Sequence, residues 1–570
     1  MTRRFNSAAL KSIFQAPASG EADWLTAAED AVTFLKDNAE GEEVVIYATG
    51  SVGLFHAVLA PAKQVTPADH EDLDNYFVQP DESWSIQKSY GGGEGHRVYL
   101  EAPLESGKSL AGGEKLIFRR TFHGVQKGVS PVELSQKLIH ALDLHFVAER
   151  NAYCRLDDRG DIEDVVRVIR AELDQGRESV SAVTILAKDL STYMALVDMA
   201  LVYFFSFTRF KSGSFQGWDG QSRFDHRAPD LFYRGGNIED ASYVSGRMIV
   251  RSAISLEQLI DEFREETHPT KKKEYASYKI FDRKNSVEVE TSCAPEFLSN
   301  YFEKSELPWE ISPAFFRPEV LHRFKSDPEK YSLEDRTISC RNAWYLKGYD
   351  INDAGQVHAY IGDLADLPID EQRYWQSFNE WPKGEISKRA YENDILGRFS
   401  SEYDPLYLLK HKIGKLNVVP FEWWLPRSEA HMDAARYPAT DSTFEWANEI
   451  LALDQILVEG FQIKPLRKLL EANGGKVQSG WAPLRVISEI LVVSGRTVDQ
   501  AKGVLQPLAK VHALRNTLKA HSSVEEKDKE ERMARTDHGT LRAHFKDLAG
   551  KCDKSFDAIL LALGAGDLNP

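Results

Sequence analysis

The sequence predicts an α+β N-terminal region followed by an all-α C-terminal helical bundle. Up to about residue 435, short runs rich in Val, Ile, Tyr and Phe are interleaved with helical spacings. After Pro438 the alternating runs give way to apolar residues three and four apart. The charge divides at the same place. Residues 441–570 carry 18 Lys+Arg and 18 Asp+Glu, so the whole net charge of −17 belongs to residues 1–440.

Strands are expected at Glu43–Tyr47, His96–Glu101, Leu116–Phe122, Val180–Leu186, Ser245–Arg251, Ser286–Glu290, Thr337–Tyr345 and Gln356–Ile361, most of them bounded by Gly, Asp or Asn. Helices are expected at Pro131–Val147, Asp161–Leu173, Asp189–Phe207 and Leu256–Arg264, with Asp161 and Asp189 standing as N-caps. The lysine run Lys271–Lys273 after Pro269 marks a boundary, which divides the chain into α+β units over 1–270 and 271–435 and a bundle over 436–570. In the bundle, Phe444 to Leu457, Leu466 to Leu470, Leu484 to Leu491, Val498 to Lys519 and Leu541 to Leu563 read as helices, the fourth kinked or restarted at Pro507. The segment Ser522–Asp537, dense in both charges, reads as a solvated linker.

Composition narrows the function classes. With 570 residues, 42% of them hydrophobic and 28% charged, the chain is an ordinary multidomain globular protein. Four scattered cysteines without a CxxC pair give neither a disulfide framework nor a cysteine zinc cluster, which fits a reducing compartment. Arg3 and Arg4 are not followed by an apolar signal core, and Met194–Phe207 is too short and too charged to span a bilayer, so a buried core helix is expected there. The reading is cytoplasmic, with no membrane partner. Net acidity repels polyanions except at a local basic patch. Val498–Lys519 offers one, with Arg496, Lys502, Lys510, Arg515 and Lys519 against Asp499.

Several catalytic signatures fail on inspection. Glu105–Ser109 ends like a phosphate-binding loop, but Ala102 stands where its first glycine is required, so a hairpin turn is expected and no nucleotide hydrolysis. Tyr90–Gly95 is glycine-rich without a helix start after it. Asp157–Asp161 has Arg159 where a calcium loop needs a ligand oxygen, and His140 and His145 are five apart, out of register for a shared metal. No metal site and no cofactor are expected. Aromatics at 374, 375, 378 and 381, interleaved with bases up to Arg389, fit either a recognition surface or the buried face of one helix.

One signal remains. Val498–Lys519 runs into Arg515-Asn516-Thr517-Leu518-Lys519-Ala520-His521-Ser522: an arginine, a polar residue after it and a histidine six positions on, late in a helical bundle. With 16 histidines and 35 arginines about three chance matches to such a spacing are expected. Arg317/His322 and Arg532/His538 are the others, the first followed by Pro318 in the α+β region, the second in the charged segment. The Arg515/His521 pair in its context resembles the R-x4-6-H signature of the HEPN superfamily. That resemblance covers about the last 130 residues, and it implies a metal-independent endoribonuclease acting on RNA, with two bundles facing each other in a homodimer.

The residue chemistry is coherent with that implication. Histidine moves protons near neutrality, and the arginine fork holds a crowded phosphate. Arg515, His521 and Asn516 are then the catalytic candidates, and Lys510, Lys519 and Ser522 the RNA-binding ones. A large α+β region ahead of such a bundle resembles abortive-infection proteins of the ApeA type, which implies antiviral or toxin-like defence with a phage or cellular trigger bound by residues 1–435. The competing class is a non-catalytic interaction protein whose bundle dimerises or binds RNA or nucleotide without cleaving it; its arginine and histidine would serve the dipole at the helix end.

Overall fold

The computed structural model describes residues 5, 7–17, 22–39, 41–65, 78–91, 95–105, 110–120, 132–173, 179–211, 215–268, 273–334, 336–398, 404–519 and 524–566. The architecture is a mixed α+β region with several sheets, followed by a run of long helices. The chain forms two compact units, one from the N-terminus to Lys273 without Asp158–Gly160, the other from Glu274 onward with those three residues.

The first unit is built on a large antiparallel sheet. Its order is Ser222–Ala228, Leu231–Ile238, Ala241–Val250, Met199–Phe210, Gly53–Pro61, Glu43–Gly50, Ser179–Leu186, Ile162–Glu172, Ala152–Leu156, His145–Val147. Helices Ser7–Phe14 and Asp30–Ala39 pack on one face through Leu10, Phe14, Phe34 and Leu35. The other face carries a smaller core of Val58, Ala60, Val202 and Phe204. The hairpin Ser85–Tyr90/His96–Glu101 forms a separate two-stranded sheet.

Of the helices expected here, one is a strand and another is a helix only in its first half. Ile162–Glu172 pairs along its length with Ser179–Leu186 and, through a bulge, with Ala152–Leu156. Its β-branched Val165, Val166, Val168 and Ile169 favour the pleated surface. Asp161 is accordingly no N-cap; its amide donates to Asp157 Oδ1 in the preceding turn. The stretch expected as the helix Asp189–Phe207 is a helix followed by a strand. Ala187–Val197 ends at Asp198, which takes the left-handed conformation at φ 53°, and Met199–Phe210 then pairs with Gly53–Pro61 and Ala241–Val250. Asp189 lies in the first turn of that helix rather than capping it. Pro131–Val147 likewise contains strand Val132–Leu134, helix Gln136–Ala141 and strand His145–Val147, so His140 and His145 stand on different elements.

In the second unit a sheet runs Val287–Ser292, Ser277–Asp282, Pro313–Phe316, Val357–Tyr360, Asp350–Ile351, beside the meander Tyr331–Glu334, Thr337–Cys340, Trp344–Lys347. Three of the four aromatics at 374–381, Tyr374, Trp375 and Phe378, serve that core, while Trp381 is exposed. Trp375 is fully buried on helix Ile369–Phe378 and packs edge-on against Phe316, with ring centroids 4.8 Å apart.

The helical core takes in Pro405–Val418, Thr443–Leu457, Ile463–Ala472, Pro483–Val493, Val498–Lys519 and Leu541–Ala562. It therefore extends upstream of residue 436, because Leu406, Leu409, Ile413 and Leu416 are buried in it. Val498–Lys519 continues through Pro507, which is buried inside the helix. The charged segment is not a solvated linker: Val524–His538 is a helix. It is tied to its neighbours by Lys510–Glu530 at 2.7 Å, Thr443–Glu531 at 2.6 Å and an ion pair between Arg535 and Asp441. Among the described residues no helix is long and apolar enough to cross a membrane. The expected Gly107–Lys108 turn and Lys271–Lys272 lie outside the described residues.

Candidate functional site

The Val498–Lys519 helix buries Leu505, Leu508, Val511, Leu514 and Leu518 against the bundle, and this fixes where its polar residues point. His512 and Arg515, three apart, lie on one side of the helix. Beneath them, near the end of the neighbouring helix Thr443–Leu457, sits Asp454, whose side chain is 0% exposed. His512 Nδ1 is 3.1 and 3.3 Å from the two carboxylate oxygens, and Arg515 Nε is 3.7 Å from Oδ2. Arg515 also donates through Nη1 to Asn516 Oδ1 at 3.0 Å and through Nη2 to Glu459 Oε1 at 3.4 Å.

A carboxylate buried this deeply requires compensation. Burial raises the Asp454 pKa above its ordinary value, while the hydrogen bond and charge of His512, then Arg515, pull it down. The two side chains that compensate it remain partly open to solvent, His512 at 44% and Arg515 at 34%. With Nδ1 committed to Asp454, the remaining ring nitrogen of His512 is left for chemistry. The site is thus an oriented imidazole beside a half-exposed guanidinium, steadied by an amide oxygen.

The structure brings together Arg515 and Asn516 of the expected set. His521 and Ser522 lie outside the described residues. Lys510 is bound to Glu530 on the acidic helix, which ties it down as a structural ion pair. Lys519 bonds to Asn448 and lies 4.9 Å from the centre of the Phe444 ring; burial lowers its pKa. The two decoy pairs are held elsewhere. Arg317 donates to Ser377 O and stacks on Phe378, while Arg532 turns back to Asp528 O. Among the described residues no group of three or more His, Cys, Asp or Glu is placed to hold a metal ion.

No protein-family model, curated protein or solved structure matches this chain.

Sequence reasoning missed His512 and Asp454, although a signal for each was present. Asp454 stands between Leu453 and Ile456 in an apolar run, where an acid needs a partner. His512 precedes Arg515 by one helical turn, on the opposite side from the histidine that the R-x4-6-H spacing seeks.

Proposed function

We propose that the C-terminal bundle is an RNA-cleaving effector centred on Arg515, with His512 as a second histidine of the site. The observation that carries this reading is the buried Asp454 carboxylate, which orients His512 and steadies Arg515 together on one solvent-reaching face. Cleavage of an RNA backbone by its own 2′-hydroxyl needs one group to take the 2′ proton and another to protonate the departing 5′-oxygen. Histidine suits both tasks near neutrality. His512 and His521 flank Arg515 in sequence and supply the pair, and the Arg515 fork holds the negative phosphorane between them. Asn516 fixes the guanidinium through its 3.0 Å bond. Asp454 is a positioning residue, holding the tautomer of His512 that leaves its Nε2 facing outward.

The resemblance to the HEPN superfamily supports the same assignment and adds a homodimer in which two such sites face each other. On that reading the preceding α+β region senses a phage or cellular trigger in antiviral defence. The test is a purified-protein assay on single-stranded RNA in the presence of EDTA. Products ending in 2′,3′-cyclic phosphate, lost in both the His512→Ala and Arg515→Ala proteins, support the reading. RNA bound but left intact would make the bundle a binding module.

A further inference from the structure

Within the second unit a cavity of about 470 Å³ opens between the sheet-bearing segment and the helical core, and its two walls differ in how their cations are held. On the sheet side, Arg389 grips Asp350 with two bonds of 3.1 and 2.9 Å, and Arg336 pairs with Asp394. Those charges are compensated. On the helical side Lys410, Arg436 and Arg542 line the cavity, and each is anchored to a main-chain carbonyl: Lys410 Nζ to Ala435 O at 3.3 Å, Arg436 Nε to Asp433 O at 2.8 Å, Arg542 Nη1 to Pro438 O at 2.7 Å. Among the described residues no carboxylate lies within ion-pair distance of any of the three.

Three cations without a direct ion-pair partner are costly in a partly buried cleft; burial lowers the pKa of both Lys410 and Arg542, opposed by the charges of Asp433, Glu449 and Asp404 at Lys410 and of Asp350 at Arg542. Acidic groups also face the cavity, and two of them, Asp350 and Asp404, are already engaged. Asp350 also accepts from Ser387, and Asp404 accepts from the Tyr437 hydroxyl at 2.7 Å and the Tyr407 amide at 3.0 Å. Asp433 and Glu334 complete the acidic lining. The Nε atom of Arg336 on the opposite wall is buried, makes no hydrogen bond and lies 3.8 Å from Asp350 Oδ2. The lining carries six Lys and Arg against four Asp and Glu, a local excess of positive charge in a chain of net charge −17.

Size and shape narrow the class. The volume is that of a small-molecule pocket, and apolar Leu321, Leu333 and Leu406 give part of it a dry wall. At the rim the Tyr407 and His411 rings lie nearly parallel, 12° apart, and form a flat aromatic step. We propose that this cleft binds a nucleotide, its phosphates held by Lys410, Arg436 and Arg542 and its base laid against Tyr407. The shared chemistry is a phosphate ester bearing an aromatic base, supplied either as a free nucleotide or as the phosphorylated 5′ end of a short RNA. The site is separate from Arg515 and does not depend on cleavage there.

The experiment is isothermal titration of the full chain with ATP, inorganic tripolyphosphate, adenosine and a 5′-phosphorylated trinucleotide. ATP or the trinucleotide should bind, and whichever binds tighter identifies the source. Tripolyphosphate should compete more weakly, and adenosine should not bind. Arg542→Gln, which keeps a donor for Pro438, and Lys410→Gln should each weaken binding about tenfold or more, the effect of losing a charge-assisted contact. Arg532→Gln, outside the cleft, should not, and unchanged melting of the unliganded variants guards against misfolding. No binding by either phosphate ester at millimolar concentration, equal binding of adenosine, or wild-type binding in both cleft variants would overturn the proposal.

Discussion

Lys412 Nζ lies 2.8 Å from Asp553 Oδ1, with each side chain 4% exposed, in the middle of the packing between helices Pro405–Val418 and Leu541–Ala562. Asp557 pairs with the same ammonium. Removing one member of such a pair strands the other charge in the core. Lys412→Met should therefore destabilise the second unit by roughly 3–5 kcal/mol, and the Lys412→Met/Asp553→Leu double change should recover most of that loss. Urea unfolding of the three proteins measures it; a single variant as stable as wild type would show that water reaches the pair.

The same packing bears on how the bundle is cut out of the chain. A polypeptide of residues 436–570 lacks Leu409, Ile413 and Leu416 and bares the apolar surface they cover. One of residues 404–570 keeps them. The longer should be monodisperse and cooperatively folded by scattering and calorimetry, and the shorter should self-associate. Equal behaviour of the two would place the working boundary near 436.

Catalysis provides the sharpest expectations. Arg515→Ala, His512→Ala and His521→Ala should each reduce RNA cleavage at least about 100-fold, the lower range for losing a proton-transfer group or a transition-state charge contact. Arg317→Ala and Arg532→Ala, at the two decoy pairs, should cleave as wild type. Asp454→Asn keeps volume and removes the charge that holds His512. It should lower kcat by about 100-fold with little change in KM, the signature of a positioning residue. Full cleavage by the Arg515→Ala/His512→Ala double variant would end the ribonuclease reading.

A pH dependence follows from His544. Trp446 donates its indole N–H to His544 Nδ1 at 3.3 Å, so the fold requires the neutral imidazole. Burial, aided by the charges of His538 and Lys510 and opposed by Asp547 and Glu530, depresses the His544 pKa to about 4. The unfolded chain, with an ordinary value near 6.5, binds the proton first as pH falls. Stability at this group is complete above pH 6.5 and is lost as pH drops toward 4, by about 3 kcal/mol at most. His544→Gln, which keeps an acceptor for Trp446, should flatten that acid limb in urea midpoints taken between pH 7 and 4.5.

Much of the bundle was legible in the sequence because helices such as Ile463–Ala472 and Val498–Lys519 bury one stripe and expose the other. Val498 to about Lys519 was legible for that reason, although the expected kink or restart at Pro507 gives way to a helix that continues through it. Met199–Phe210 was not legible as a strand, since Leu201 to Phe205 are buried on both faces and a sheet strand of that kind shows no alternation. Val524–His538 hid for the opposite reason: with Ala534 as its buried contact, its helix is held by ion pairs that composition alone does not locate. At the site, Arg515 and Asn516 could be named from one motif, whereas the His512–Asp454 pair joins residues far apart in sequence and becomes visible when two helices pack.

The place of Met199–Phe210 in its sheet also sets an order of events during synthesis. The Gly53–Pro61 strand emerges from the ribosome early, with its stretch from Phe55 to Ala60 destined for complete burial. Its partner along one whole edge is Met199–Phe210, so that edge stays open until the ribosome has read well beyond residue 210. A message truncated in that interval would yield a nascent chain displaying an apolar, unpaired strand, a template for pairing with other chains. Holdase chaperones should therefore crosslink to nascent chains ending before residue 199 and release those ending beyond Val250, where the neighbouring strand is complete.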